Sequence, residues 1–304
     1  MKKIITFAIL CLLVKFTFAQ QQATISQYMF NPLAINPAYA GMDELLTATA
    51  LTRYQSLGLE GAPSTQSFAA HAPLLNKNIG LGILFVKDKI SVIDQYSVSA
   101  AYAYRIKLNS FTTLSLGLQA GMNSINAEYT KVRAQNPNDP AFQQNVQSTR
   151  PNFGLGAFYK TRLYYAGISV PQLANNVFTR GPDLTTVKQD NPIILTGGLE
   201  LPVTRGVMFI PSALIKMVAG KTVETDVNAQ FSFDDVVWVG ASYTLFHSAD
   251  LLLQLKITRQ LRFGYSYVLS TSELRTVELG SHELMVSYKF EFPPKEGLVS
   301  PRAF

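Results

Sequence analysis

Cysteine is almost absent from this sequence: Cys11 is the only one among 304 residues. Cys11 lies inside an N-terminal stretch that we expect to be removed on export, so the mature chain is predicted to hold no cysteine. Such a chain can form no disulfide framework, no thiolate metal site and no cysteine nucleophile. We interpret an exported chain free of cysteine as a protein of the Gram-negative envelope.

The N-terminal apolar run, Ile4–Val14, is too short to cross a bilayer as a helix, which takes roughly twenty residues. It follows Lys2 and Lys3 and leads to a Thr-Phe-Ala sequence ending at Ala19. These are the three parts of a secretory signal. Residues 1–19 are therefore predicted to be a signal peptide that is cleaved after Ala19, and a membrane anchor is the alternative.

Charge is also sparse, at 15% of the residues, with a formal net charge of +6. Three of the lysines lie in the predicted signal, so its removal lowers the net charge from +6 to +3. No cluster of Lys and Arg remains that would bind phosphates, which argues against a nucleic-acid partner.

Side chains that carry catalysis are scarce and scattered. The three histidines, His71, His247 and His282, lie far apart and none has the spacing of a metal site. His282 beside Glu283, with Ser287 farther along, is too little for a catalytic triad. We predict no catalytic, cofactor-binding or metal-binding residues and a protein that is not an enzyme.

What the chain does have is alternation of apolar and polar residues. In Thr222–Asp234, one face carries Val, Thr, Ala and Phe and the other carries Glu, Asp, Asn, Gln and Ser. This period of two predicts a β-strand, and no helical period fits it. Fourteen candidate strands lie near residues 45–54, 65–74, 79–88, 95–107, 111–125, 151–160, 162–170, 193–202, 206–218, 222–233, 236–245, 250–258, 261–269 and 282–292.

A soluble β-sandwich and a membrane barrel both fit alternating strands, and the second face of each strand separates them. Here that face is rich in Ser, Gly, Ala, Thr and Gln, which suits the lumen of a barrel, and aromatic residues gather near strand ends, as girdles at the membrane boundaries do. The predicted fold class is all-β: a transmembrane antiparallel up-and-down β-barrel of about 14 strands, with a non-strand N-terminal segment. Residues 45–292 would form it.

The connections between strands alternate in length. With the N-terminus in the periplasm, the predicted periplasmic turns are all tight, whereas the outer loops include 126–150 and 171–192, together with medium loops at 57–64, 87–94 and 270–281. Short periplasmic turns and longer extracellular loops are the rule for outer-membrane barrels. Residues 293–304 then form a periplasmic tail.

The chain resembles the PorP/SprF family of outer-membrane proteins of the type IX secretion system. The segments that carry the resemblance follow the family order along nearly the whole mature chain: SQYMFNPLAINPAYAG (26–41), GAPSTQSFAAHAPL (61–74), AYAYRI (101–106), DPAF (139–142), GISVPQL (167–173), PSALIK (211–216) and GYSYVLSTSELRTVELGSHELMVSY (264–288).

The resemblance implies an outer-membrane component that helps to secrete or anchor large surface proteins, such as adhesins, through their C-terminal domain, in some members for gliding motility. It implies three kinds of partner: the secreted protein, periplasmic and outer-membrane secretion components, and the lipid bilayer. The long loops are the expected cargo contacts; the candidate residues are Asn136, Asp139, Phe142, Pro171, Leu173, Arg180, Ser281 and His282. A pore or transporter for small solutes is the alternative function.

Residues 20–44 contain two Asn-Pro pairs, at Asn31 and Asn36, and proline lacks the N–H that a central strand needs. The stretch 25–41 carries no charge, so we expect it to be buried, either as a plug in the barrel lumen or against a periplasmic partner. A plain lead-in to the barrel is the simpler alternative. The candidate residues are Tyr28, Phe30, Asn31, Pro32, Asn36, Pro37, Tyr39 and Gly41.

Overall fold

The computed structural model describes residues 27–74, 78–132, 142–174, 177–178, 187–188, 191–271 and 278–291. The predicted signal peptide and the predicted tail at 293–304 lie outside the described residues. No helix in the described part of the chain is long and apolar enough to cross a membrane.

The described chain forms seventeen strands and four short 3-10 turns. The strands are β1 Leu46–Tyr54, β2 Ser64–Pro73, β3 Ile79–Ile90, β4 Ile93–Asn109, β5 Thr112–Ala127, β6 Val146–Lys160, β7 Tyr164–Val170, β8 Val177–Phe178, β9 Val187–Lys188, β10 Ile193–Leu199, β11 Leu201–Thr204, β12 Val207–Met217, β13 Glu224–Phe233, β14 Val237–Thr244, β15 Ser248–Lys256, β16 Leu261–Ser270 and β17 Ser281–Phe290. The 3-10 turns are Tyr28–Phe30, Pro32–Ala34, Pro37–Tyr39 and Tyr129–Lys131.

Fourteen of these strands close into one antiparallel barrel. Each pairs with its neighbours in chain order, β10 pairs with β12, and β1 pairs with β17 to complete the ring. The short β11 also pairs with β12, where it continues the register of β10 beyond Glu200, and β8 and β9 form a separate two-stranded ladder. The predicted fold class, including the non-strand N-terminal segment, is confirmed.

Alternation explains why the sheet closes with its apolar face outward. In β13, Val227 is 50% exposed whereas its neighbour Asn228 is 1% exposed, because one side chain points away from the barrel and the other into it. Tyr102, Tyr104 and Phe231 lie exposed on the outer face, as aromatic girdle residues do. Polar residues therefore make up most of the buried interior.

Four strands are longer than predicted: β3 ends at Ile90 instead of residue 88, and β4, β5 and β6 also gain residues. β4, β5 and β6 have 17, 16 and 15 residues, against roughly 9–11 for a strand that only spans a bilayer. Most of the added residues lie at the end opposite the short β4–β5 turn, so the wall there is taller than a bilayer requires. The predicted medium loop 87–94 is wrong, since β3 and β4 are joined by a tight turn at Ser91, and the ends of the predicted loop 126–150 are strand. Outside lipid the outer face needs no apolar residues, so the alternation that marks a membrane strand fades there.

Candidate functional site

The N-terminal segment, residues 27–45, folds as three consecutive 3-10 turns. Each Asn-Pro pair begins one of them, with Pro32 and Pro37 near the first position, where a missing N–H costs nothing. Leu33, Ala38 and Ala40 are buried almost completely. The prolines thus set a compact, turn-rich path that exposes little apolar surface.

This segment lies inside the barrel and is bonded to strands spread around the ring, namely β2, β4, β7, β12 and β17. The contacts are Gln27 N to Glu283 Oε1 (3.0 Å), Tyr28 Oη with Ser212 Oγ (3.4 Å), Ser169 Oγ to Ile35 O (2.6 Å), Gly41 N to His71 Nδ1 (3.1 Å) and the Arg105 guanidinium to Gly41 O. A segment held on opposite walls occupies the lumen between them.

Asn36 is the most fully used side chain of the segment. Its Oδ1 accepts the Ala38 N–H (2.9 Å) and so caps the third turn. Its Nδ2 donates to Ala157 O in β6 (3.0 Å) and to Ile168 O in β7 (3.3 Å). The equivalent Asn31 makes no such cap, and its Nδ2 has no partner among the described residues. The two Asn-Pro pairs therefore differ, because Asn36 ties the segment to the barrel wall and the Nδ2 of Asn31 does not.

That difference gives the first prediction. Asn36→Ala should destabilise the folded protein by about 1–3 kcal/mol, because it removes a cap and two hydrogen bonds that tie the segment to the wall. The urea midpoint of the purified barrel and the protease resistance of the segment measure the effect. Asn31→Ala, the matched control, should change both less; equal effects would contradict the assignment.

Glycines let the segment approach the wall. A Cβ added to Gly80 would lie 1.9 Å from Ala40 O, and one added to Gly117 would lie 2.2 Å from Ala38 N. Both distances are far inside van der Waals contact, and the atoms met are backbone atoms that cannot turn aside. Lumen-facing glycines in alternating strands were visible in the sequence, but what fills the space beside them was not.

Charged groups fix both ends of the segment. At its start, the fully buried Glu283 accepts from Gln27 and lies 3.5 Å from Arg53. At its end, Asp43 lies 3.6 Å from Lys289 and accepts from the Tyr39 hydroxyl (2.8 Å). Burial favours a raised pKa for Asp43, but Lys289, His71 and Tyr39 together outweigh it and hold the pKa below its ordinary value.

Sequence reasoning missed Arg53 and Glu283 as a pair. Arg53 is the one charged residue of β1, Glu283 lies at an inward position of β17, and the β1–β17 register places them directly opposite each other. A closed barrel must pair its first strand with its last, and that pairing would have predicted their contact.

The candidate cargo residues are not brought together in the described part of the chain. Leu173 is exposed, but Pro171 is tied to the wall, since its carbonyl accepts from Gln119 Nε2 (2.9 Å) and Asn152 Nδ2 (3.0 Å). Phe142 is half-buried. Asn136, Asp139 and Arg180 lie outside the described residues.

Ser281 was predicted to end the loop 270–281 but is the first residue of β17, which also holds His282. Ser281 is buried and its Oγ accepts the Ser56 N–H (3.1 Å). His282 Nδ1 lies 2.7 Å from the Tyr265 hydroxyl. The last strand therefore begins at residue 281, one residue before the predicted start at 282.

The family match decides what kind of barrel this is. A family model described as type IX secretion system membrane protein PorP/SprF matches residues 17–288. The chain belongs to the PorP/SprF family. It is thus an outer-membrane component of type IX secretion. No curated protein matches the sequence.

Solved structures support the fold alone. A FadL homologue of Pseudomonas aeruginosa superposes with a TM-score of 0.53 at 13% identity, covering 85% of this chain and 94% of its own. The toluene transporter TbuX of Ralstonia pickettii gives 0.50 at 9% identity, covering 86% and 93%. The family and these structural neighbours are secretion or transport components. Separately, the described residues contain no group of His, Cys, Asp and Glu that could hold a metal.

Proposed function

We propose that this PorP/SprF protein secretes or anchors a large, adhesin-like surface protein through the C-terminal domain of that protein. The observation that supports an anchor over a pore is the N-terminal segment, which is bonded to opposite walls of the lumen. A lumen filled in this way leaves little room for a solute path. In this proposal the segment is a plug.

The cargo would bind at the end of the barrel with the long connections. By the rule of short periplasmic turns, that end faces the exterior. There β4, β5 and β6 are longer than a bilayer requires and carry the long loop before β6. Loops on a rigid scaffold suit binding, and this raised wall supplies the scaffold. The opposite end would meet the periplasmic secretion components.

Removing the two long loops should release the cargo. Residues 128–145 and 172–191 are each replaced by a short Gly-Ser turn, which spares the strand residues that the structure adds to β5 and β6. We expect the secreted protein to move from the cell surface to the medium, measured by immunoblotting of both fractions, while the barrel still migrates as a folded species in unheated gels.

The control inserts the same Gly-Ser sequence after Ser91, in the tight turn at the same end. It should leave the cargo on the surface. Cargo retained by the loop-deleted protein would refute the proposal. Solute flux through the purified wild-type barrel in liposomes, as large as that of an open porin, would instead favour the small-solute transporter.

A further inference from the structure

A cavity opens between the N-terminal segment and the wall at the short-turn end of the barrel. Tyr28, Ile35 and Tyr39 line it from the segment, and Phe158, Tyr165 and Thr196 line it from β6, β7 and β10. Lys160, the last residue of β6, and Glu200, which follows β10, also line it. Both lie at the periplasmic end, so the cavity faces the periplasm.

The lining of the cavity is aromatic and rigid. The ring of Tyr39 meets Phe158 edge-on at 5.3 Å, and Phe158 stacks on Tyr165 at 5.6 Å. Phe158 is 4% exposed, so its ring is held by packing on the other side. Offset and edge-on ring arrays of this kind accept a further aromatic or large apolar side chain.

The end of the barrel wall beside the cavity, from β4 to β6, is basic, and of the cations there Lys160 lines the cavity itself. In the sheet register Thr113 pairs with both Lys107 and Lys160, so the two lysines flank it at the ends of neighbouring strands, and Arg162 follows in the next turn. None of the three cations has a carboxylate partner among the described residues; the guanidinium of Arg162 lies 5.9 Å from the ring of Phe111. Glu200 is the one carboxylate lining the cavity.

We propose that this cavity docks an aromatic or large apolar side chain carried on an acidic segment of a periplasmic partner protein. An apolar centre with a polar rim is the usual anatomy of a binding hot spot, and the positive charge of Lys107, Lys160 and Arg162 along this end of the wall favours acidic neighbours for the anchor. The inference rests on the proposed function in two respects: that this end of the barrel faces the periplasm, and that a partner protein is present there.

The cavity has a second property that follows from its two-sided lining. Because its lining comes partly from the segment and partly from the wall, a side chain bound in it contacts both and stabilises the seated segment. Docking at the periplasmic end would therefore be linked to closure of the lumen.

The test uses the purified full-length mature barrel and the acetylated, amidated peptide Glu-Asp-Phe-Asp-Glu. Thr196→Phe fills the cavity and should weaken binding of this peptide by about tenfold or more. Lys107→Gln with Lys160→Gln should weaken it and reduce its salt dependence. Lys89→Gln, which removes an exposed lysine at the opposite end, should change neither quantity.

Two further peptides complete the test: one with Ala in place of Phe, and one with Lys in place of every acidic residue. Both should bind at least about tenfold more weakly than the parent peptide. Equal binding of the Ala peptide, undiminished binding to the Thr196→Phe barrel, or absence of binding to the wild-type barrel would each overturn the proposal. Cargo retention is measured on cells that carry the loop-deletion variant, whereas peptide binding is measured on the purified cavity variants. This proposal and the anchoring function can therefore fail independently.

Discussion

Gly117→Val, combined with Gly80→Val, should push the N-terminal segment out of its seat and open the lumen to ions. The new side chains would meet the backbone at Ala38 and Ala40, which no rotamer change relieves. The barrel itself should still form, because β-branched residues suit strands. Conductance in planar bilayers should rise well above that of the wild type, since a barrel of fourteen strands encloses more space than its own side chains fill. Protease should then cut the segment, which the wild type protects.

Gly197→Ala is the matched control for the two glycines. A Cβ at Gly197 would lie 3.6 Å from its nearest neighbour, Tyr165 O, which is ordinary contact. This variant should keep the conductance and protease resistance of the wild type. A double valine variant with a closed, protected lumen would show that the segment does not depend on these contacts.

Glu283→Ala should produce the largest loss of stability, about 3–5 kcal/mol, because removing one member of a buried ion pair leaves the other charge uncompensated. Arg53 and the Gln27 N–H would both lose the carboxylate that they share. The urea midpoint of the barrel in lipid vesicles reports the loss, and cleavage near Gln27 reports release of the segment.

Two variants make this result specific. Replacing Arg53 and Glu283 together by Met should recover most of the stability, since no lone charge stays buried. Glu60→Ala, at an exposed position on the loop between β1 and β2, should have almost no effect. If Glu283→Ala unfolds at the wild-type urea concentration, the buried pair is not a stabilising element.

The membrane-spanning part of the fold could be predicted from the sequence because lipid imposes a strict rule on it. A strand such as Glu224–Phe233 must put apolar residues outward at every second position, so its identity and its two faces are both visible in one dimension. Near the loop between β5 and β6 the outward positions are polar, as at Ser124 and Thr149, so the alternation stops there and the predicted strands ended too early.

The site was harder to predict because its contacts join residues far apart in the chain. The two Asn-Pro pairs indicated turns and burial correctly in kind, but Asn36 bonds to Ala157 and Ile168, which are 121 and 132 residues away in the sequence. Nothing local tells Asn36 from Asn31. Only the register of the closed ring places one beside the β6–β7 wall and leaves the other without that contact.

The seam where the barrel closes also constrains the order in which the protein assembles. β1 follows directly from the N-terminal segment, and β17 supplies Glu283 and Lys289, which grip the two ends of that segment. A segment threaded into a finished ring would have to pass side chains already in contact, whereas one present before the last strand docks is enclosed as the ring shuts. Insertion into the membrane and filling of the lumen would then be a single event, and partly assembled barrels would be open on the side where β1 and β17 meet.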